Sequence, residues 1–331
     1  MTIGAAPPPL LQLRDLQVEF ATRRGAVLAL DRVSLHIERG EVLGVVGESG
    51  AGKSLTGAAV IGLLEPPGRV AGGEILLRGE RIDHLPEAEL RQLRGKHIGA
   101  VFQDPLTALN PLFTVGQQLV ETIRTHLSLD ASAARERAIG LLRDTGIPAP
   151  ERRIDQYPHQ FSGGMRQRVV IALALAAEPE LLIADEPTTA LDVSIQAQVI
   201  ALLKGLTRER GVAVMLITHD MGVIAEICDR VAVMYAGHVV EVGPVRELIN
   251  RPAHPYTAGL MASIPRLQDE RERLAQIDGV MPRPGDWPAG CAFHPRCPHA
   301  QDICRRDARP PLRTVGATEV ACWLAPLAFA A

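Results

Sequence analysis

The chain has 331 residues, enough for one large or two smaller domains, with a formal net charge of −3 and 22% charged residues. No basic run stands out, so nucleic acid is not expected as the main partner. The longest clean apolar run, Val169 to Ala177, is about half of what a membrane-spanning helix needs and is bounded by Arg168 and Glu178. No membrane segment is expected, and any transport role requires separate membrane-spanning partners.

At the N-terminus, Met1 to Pro9 has neither a positively charged stretch nor an apolar one, which excludes a signal peptide and predicts a disordered lead-in. Residues 10–40 and 70–82 alternate and are β-branched, the pattern of antiparallel strands. Between them, Glu41 to Val46 reads as a short buried strand. It runs into Gly47-Glu48-Ser49-Gly50-Ala51-Gly52-Lys53-Ser54, which fits G-x-x-x-x-G-K-[ST]. Lys53 to Leu64 then reads as a helix stopped by Pro66-Pro67. A strand, a glycine-rich loop and a helix N-terminus aim backbone N–H groups and the positive dipole end at an anion. Lys53 is expected to reach the β- and γ-phosphates, and Ser54 offers a hydroxyl to Mg²⁺. The loop predicts a nucleoside triphosphate site.

Helical spacing recurs over Val115 to Leu127 and Ala131 to Asp144. Ser162-Gly163-Gly164 then precedes the apolar stretch beginning at Val169, and is expected to open a helix with a second anion site. One chain does not need two γ-phosphate sites this far apart, so the second is expected to serve a nucleotide held by another subunit. Leu181 to Ala184 is an apolar run suited to a strand buried on both faces, and it ends in Asp185-Glu186. Asp185 is expected to hold Mg²⁺ through water, and Glu186 to polarise the attacking water as general base. Strands and helices continue to alternate over 179–245, and neither internal repeats nor heptads occur.

Composition changes after residue 250, where eleven of the 25 prolines fall and periodicity fades. This loop-rich stretch holds four of the five cysteines, Cys291, Cys297, Cys304 and Cys322, spaced C-x5-C-x6-C-x17-C, whereas Cys228 lies in an apolar stretch. Clustered cysteines in a chain without an export signal point to metal rather than to disulfides. The spacing does not separate Zn(Cys)₄ from an iron–sulfur cluster, and His294 and His299 are further candidate ligands.

Taken in order, the motifs resemble those of ABC-type ATPases over about residues 10–245. Gly47 to Ser54 matches Walker A, Gln103 in Val101-Phe102-Gln103-Asp104-Pro105 the Q-loop, and Phe161 to Met165 the signature. Leu181 to Glu186 matches Walker B with its glutamate, Ala190-Leu191-Asp192 the D-loop, and Thr218-His219-Asp220 the H-loop. The resemblance implies a parallel α/β P-loop NTPase core with an antiparallel β subdomain and a helical subdomain inserted at about 104–163. It further implies that Gln103 reaches Mg²⁺ and the attacking water, that His219 contacts the γ-phosphate, that Asp192 faces a partner subunit, and that Phe20 stacks on adenine. The stretch Ala21 to Gly25 is expected to lengthen the loop presenting Phe20. Met165 stands where glutamine is common and is not counted as a nucleotide contact.

The tail narrows the resemblance. Arg251 to Thr257, Gly290 to Pro298 and Gln156 to Arg168 are similar to segments of dipeptide and oligopeptide importer ATPases. This implies a nucleotide-binding domain over 10–250 and a C-terminal extension over 251–331, whose four cysteines hold a 4Fe–4S cluster, with structural Zn²⁺ as the alternative. The implied assembly has a second, distinct ATP-binding subunit, two permeases and an extracytoplasmic substrate-binding protein, at the cytoplasmic face of a bacterial inner membrane. The alternatives are importers of nickel, glutathione or another small solute, a soluble ABC ATPase without a transport role, and a metal-sensing or redox-regulatory protein.

Overall fold

The computed structural model describes residues 7–189, 192–264, 276–306 and 308–326. In chain order the strands are β1 (Leu11–Thr22), β2 (Gly25–Ile37), β3 (Val42–Val46), β4 (Gly68–Leu77), β5 (Glu80–Arg81), β6 (Ile98–Val101), β7 (Leu181–Asp185), β8 (Ala213–Ile217), β9 (Arg230–Tyr235), β10 (His238–Pro244), β11 (Arg313–Val315) and β12 (Thr318–Val320). The helices are α1 (Lys53–Val60), α2 (Glu87–Leu93), α3 (Pro105–Ala108), α4 (Val115–His126), α5 (Ala131–Asp144), α6 (Pro150–Arg153), α7 (Gly163–Ala174), α8 (Val193–Arg210), α9 (Met221–Ile227), α10 (Val245–Asn250) and α11 (Pro255–Ala262). Two compact units emerge. One gathers the described residues up to Ile37, Val42–Asp83 and those from Ile217 onward; the other holds Glu38–Glu41 and His84–Leu216.

The first unit contains an antiparallel sheet in the order β2-β1-β4-β5. Along β1 the buried residues are Leu11 and Leu13, then Leu16 and Val18. The period of two slips by one residue between them, where the pairing register shifts and Asp15 takes a φ of +46°. A bulge here keeps both apolar pairs on the buried face. The same unit carries five strands in the order β11-β12-β10-β9-β3. β3 runs parallel to β9, with Leu43 opposite Arg230 and Val46 opposite Val233. All five residues of β3 are buried, which is why it reads as an unbroken apolar run. β9 returns as β10 through Ala236-Gly237, both at positive φ, the backbone that a two-residue hairpin turn requires. The tail region, which reads as loops, adds α11 and the β11–β12 hairpin, with Val320 pairing with Glu241 of β10.

In the second unit β6 and β7 are parallel, from Ile98 opposite Leu181 to Val101 opposite Ala184, with β8 beside β7. The helices at 115–126 and 131–144 match the spacing seen in the sequence. Thr114 and Gln117 form a reciprocal capping box on α4, and Asp130 caps α5.

The helix after the glycine-rich loop is shorter than its sequence suggests. It ends at Val60, not at Leu64. Gly62 adopts φ +65° and donates its N–H to the Ala59 carbonyl at 3.1 Å, while the Leu63 N–H reaches Ala58 at 2.8 Å. These two bonds make a Schellman cap, so the stop comes from glycine before the prolines are reached. Gly62→Ala forces a Cβ into the left-handed region and is expected to cost about 1 kcal/mol of stability, measurable by urea denaturation.

Candidate functional site

The glycine-rich loop is built backbone against backbone. Gly47 takes a φ of +152°, and a Cβ there would lie 2.2 Å from the carbonyl oxygen of Met234 at the end of β9. Gly52, at φ +103°, would drive a Cβ to within 2.5 Å of Leu30 Cδ2. The loop therefore needs glycine for conformation and for space. Lys53 is 7% exposed. Its Nζ donates to the carbonyl oxygens of Gly47 at 2.8 Å and Glu48 at 3.0 Å, so its charge is folded across the loop it follows. Ser54 is exposed in the first turn of α1.

Glu48 is held from two sides. Its N–H donates to the hydroxyl oxygen of Tyr256 at 2.9 Å, and both carboxylate oxygens accept from Arg296 Nη1 at 3.0 Å. The Arg296 side chain is only 6% exposed, and its other N–H groups donate to the carbonyls of Asp278 and Ile277. Neither partner of Glu48 stood out in the sequence as part of the nucleotide site. Arg296 lies in the run Gly290 to Pro298 and Tyr256 in Arg251 to Thr257, where only the family resemblance marked them.

In the same unit, the Thr218 N–H donates to the Val45 carbonyl at 3.3 Å. His219 thus emerges, exposed, beside the strand that feeds the glycine-rich loop. Phe20 is half-buried on β1, with its ring against the Gly68 backbone, where a Cβ would come within 2.8 Å of the ring. The loop after Phe20 is shorter than expected. Ala21 pairs with Ala26 and Thr22 with Gly25, so only Arg23 and Arg24 form the turn. The Thr22 hydroxyl closes it by donating to the Gly25 carbonyl at 2.7 Å.

The second unit places Asp185 at the C-terminal end of β7, with Glu186 following at φ +47°. Glu186 Oε2 accepts from Gln103 Nε2 at 2.9 Å and from the Thr189 hydroxyl at 2.8 Å. Gln103 and Glu186, 83 positions apart in the chain, therefore meet directly. Ser162 caps α7 by accepting from the Met165 N–H at 3.4 Å. Ser162 and Gly163 are exposed, and Gly163 has open space where a Cβ would be. Gly164 instead abuts Ile195, since a Cβ would fall 2.8 Å from Ile195 Cγ2. Asp192 caps α8 by accepting from the Ile195 N–H at 2.9 Å. Ala190 and Leu191, the rest of the expected D-loop, lie outside the described residues.

Cys228 is a core residue, with its thiol 3.0 Å from where a Cβ on Gly44 would sit, and burial pushes its pKa well up. The four tail cysteines are near neighbours. Burial lifts the Cys291 thiol to about 11, and Cys322, Cys304 and Cys297 each add to that shift. Burial likewise raises Cys297 and Cys322. The Cys291 N–H donates to the Cys304 carbonyl at 2.9 Å. Among the described residues, however, no three histidine, cysteine or acidic side chains meet closely enough to ligate one ion. The expected four-cysteine ligand set is thus gathered but not assembled among the described residues, with Cys304 in a short 3-10 turn and Cys322 packed against Val320 and Ala325. The His294 ring lies against the cysteine turn, with Nδ1 3.0 Å from the Cys291 carbonyl oxygen.

Comparison with known proteins settles the family. The ABC transporter profile matches residues 30–189, and the profile of the oligopeptide/dipeptide transporter C-terminal region matches 240–304. The dipeptide transport ATP-binding protein DppD of Escherichia coli is 48% identical over 90% of this chain and 91% of its own length. The oligopeptide transport ATP-binding protein OppD of Bacillus subtilis is 49% identical over 95% of this chain and 88% of its own. The chain belongs to the ABC transporter ATP-binding proteins. Its fold agrees: the dimeric ATP-binding cassette MJ0796, solved bound to ADP and Pi, superposes with a TM-score of 0.65 at 30% identity, covering 71% of this chain and 99% of that one. The protein is thus an ABC-type ATPase with the P-loop NTPase fold. Among its described residues no helix is long and apolar enough to cross a membrane.

In this ABC ATPase the contact between Gly47 and Met234 has no slack. Gly47→Ala must displace backbone, and is expected to lower stability by about 2 kcal/mol or more in urea unfolding. An unchanged unfolding midpoint would show that the loop accommodates a Cβ.

Proposed function

We propose that this chain powers the import of di- and oligopeptides across a bacterial inner membrane. It acts at the cytoplasmic face with a second, distinct ATP-binding subunit, two permeases and an extracytoplasmic binding protein. The observation that carries this reading is the likeness to peptide-transport ATP-binding proteins over nine-tenths of the chain, tail included.

The P-loop amides and the α1 N-terminus receive the phosphates. Lys53 exchanges the Gly47 and Glu48 carbonyls for phosphate oxygens, and Phe20 stacks on adenine. Ser54 and Asp185 would hold Mg²⁺, which neutralises charge on the phosphates; a hydroxyl and a carboxylate suit that hard cation. Glu186 takes a proton from the attacking water, and Gln103 must release Glu186 to reach the water itself. His219 donates to the γ-phosphate. The exposed Ser162-Gly163 pair at the head of α7 meets the nucleotide of the partner subunit, with Asp192 at the same interface. ATP then closes two such subunits head to tail, and hydrolysis reopens them. Leu112, 79% exposed, and Phe113, 47% exposed, follow Gln103 in the chain and offer an apolar surface to a permease.

In the tail, Cys291, Cys297, Cys304 and Cys322 would hold a 4Fe–4S cluster, with Zn²⁺ as the alternative. Their gathering supports a thiolate-bound metal: buried thiols with raised pKa values ionise at neutral pH only when a cation replaces their protons. The cluster would staple a proline-rich segment whose apolar residues lack the periodicity of a helix or strand.

Reconstitution with the permeases tests the transport reading. ATPase activity is expected to rise with a peptide-loaded binding protein, whereas stimulation only by nickel- or glutathione-loaded binding protein would reassign the substrate. Glu186→Gln is expected to retain ATP while turnover falls at least about 100-fold, because an amide cannot accept the proton. A mutant hydrolysing at the wild-type rate would remove Glu186 from that role.

The tail is checked separately. Anaerobically purified protein is expected to be brown, with about four iron and four sulfide per chain, and Cys291→Ser colourless. Colourless wild type with one zinc leaves the structural-metal alternative, and metal-free protein removes both.

A further inference from the structure

We infer that Arg296 is a positioning residue for nucleotide binding: by pairing with Glu48 it fixes and neutralises the second residue of the P-loop, and thereby links the cysteine loop of the tail to ATP affinity. The inference rests on the reading of Gly47–Ser54 as the ATP site.

A carboxylate at the second position of a loop that cradles polyphosphate is electrostatically unfavourable. Here its charge is met by a guanidinium on both oxygens at 3.0 Å, a charge-assisted pair of the stronger kind. The Arg296 head has little freedom to leave. Nε donates to the Asp278 carbonyl at 2.8 Å, Nη2 to the Ile277 carbonyl at 3.0 Å, and its Cζ lies 5.8 Å from the Tyr235 ring centroid. The pair also sits where displacement matters. The Glu48 carbonyl accepts from the Lys53 ammonium at 3.0 Å, and the Glu48 N–H is taken by Tyr256. Tyr256, Tyr235 and Phe293 pack as a cluster with ring centroids 4.7–5.4 Å apart. Glu48 is thus clamped at its side chain and its N–H, and its carbonyl is left to set Lys53.

The other end of the clamp is the cysteine loop. Arg296 precedes Cys297, and its N–H donates to the Phe293 carbonyl at 3.0 Å inside the turn between Cys291 and Cys297. Any ordering of that turn is transmitted to Glu48, and linkage makes the effect reciprocal: nucleotide that binds better because the turn is ordered must also order the turn.

The test is a double-mutant cycle on the full-length chain, read as the Kd of a fluorescent ATP analogue with Mg²⁺. Arg296→Gln, which leaves the Glu48 carboxylate unopposed, is expected to weaken binding about tenfold. Arg296→Lys, which keeps the charge, should lose less. Glu48→Gln combined with Arg296→Gln should recover most of the loss, because the uncompensated carboxylate is gone. In wild type, nucleotide should slow proteolysis between Cys291 and Arg306, and in Arg296→Gln it should not. Unchanged affinity in a folded Arg296→Gln protein, or a double variant at least as weak as the single, overturns the inference. Should Arg296→Gln not fold, Arg296→Met alone and paired with Glu48→Gln carries the same comparison. Failure of the ATP-site reading itself shows separately, as wild-type protein that binds no nucleotide.

Discussion

The close approach of the Gly47 backbone to the carbonyl of Met234 governs the unit that contains the P-loop. It is possible because β3 and β9 are parallel neighbours, so that both strands deliver their C-terminal ends to one place. Packing of α9 against β3 demands glycine at position 44. A Cβ at Gly44 would strike Ile224 Cδ1 at 2.5 Å. Further on, Gly237 donates to the Ala51 carbonyl at 2.9 Å, and a Cβ there would lie 2.4 Å from the Ala29 carbonyl. The glycines around the loop therefore act as packing residues as much as flexible ones. They bring the β9–β10 turn, β2 and the loop so close that no side chain fits between them.

Around the start of α11, buried charge and polarity are met largely by backbone groups. Glu241, fully buried on β10, accepts from the N–H groups of Ala253 at 2.8 Å and His254 at 2.9 Å, and burial raises its pKa. That seats the start of α11. His254, with burial holding its pKa down at about 3, is a neutral ring whose Nδ1 accepts from the Tyr256 N–H at 3.1 Å. Tyr256 in turn presents its hydroxyl to the Glu48 N–H. One hydrogen-bonded path thus runs from a strand through the tail helix to the P-loop. Each buried polar group on it has a partner, the condition under which such groups support a fold rather than weaken it.

Elements defined by local signals were legible in the sequence. The run Glu41 to Val46 and the glycines after it gave the strand, loop and helix start, and Ser162 caps α7 as its position before Gly163-Gly164 implied. Two local readings failed for local reasons. Pro66-Pro67 drew the helix end too far, because Gly62 supplies a complete Schellman cap first. Ala21 to Gly25 read as a loop, yet Thr22 and Gly25 pair across a two-residue turn. Long-range features were illegible for a different reason. Glu48 and Arg296 are 248 positions apart, and Arg296 sits among prolines and cysteines where no periodicity predicts a partner. The cysteine spacing announced a gathering of thiols, but not whether their loops would hold ligand geometry.

Glu186 illustrates what a backbone can impose on a side chain. A non-glycine residue at φ +47° carries a cost of about 1–2 kcal/mol, and the Pro187 that follows restricts it further. The local turn offsets part of this, through the Thr189 N–H on the Glu186 carbonyl at 3.1 Å. The direction of the carboxylate is therefore set by main-chain geometry at the end of β7. Glu186 Oε2 accepts from the Gln103 amide and from the Thr189 hydroxyl, which add to that orientation. Glu48 is oriented differently, by a charged partner on both of its carboxylate oxygens.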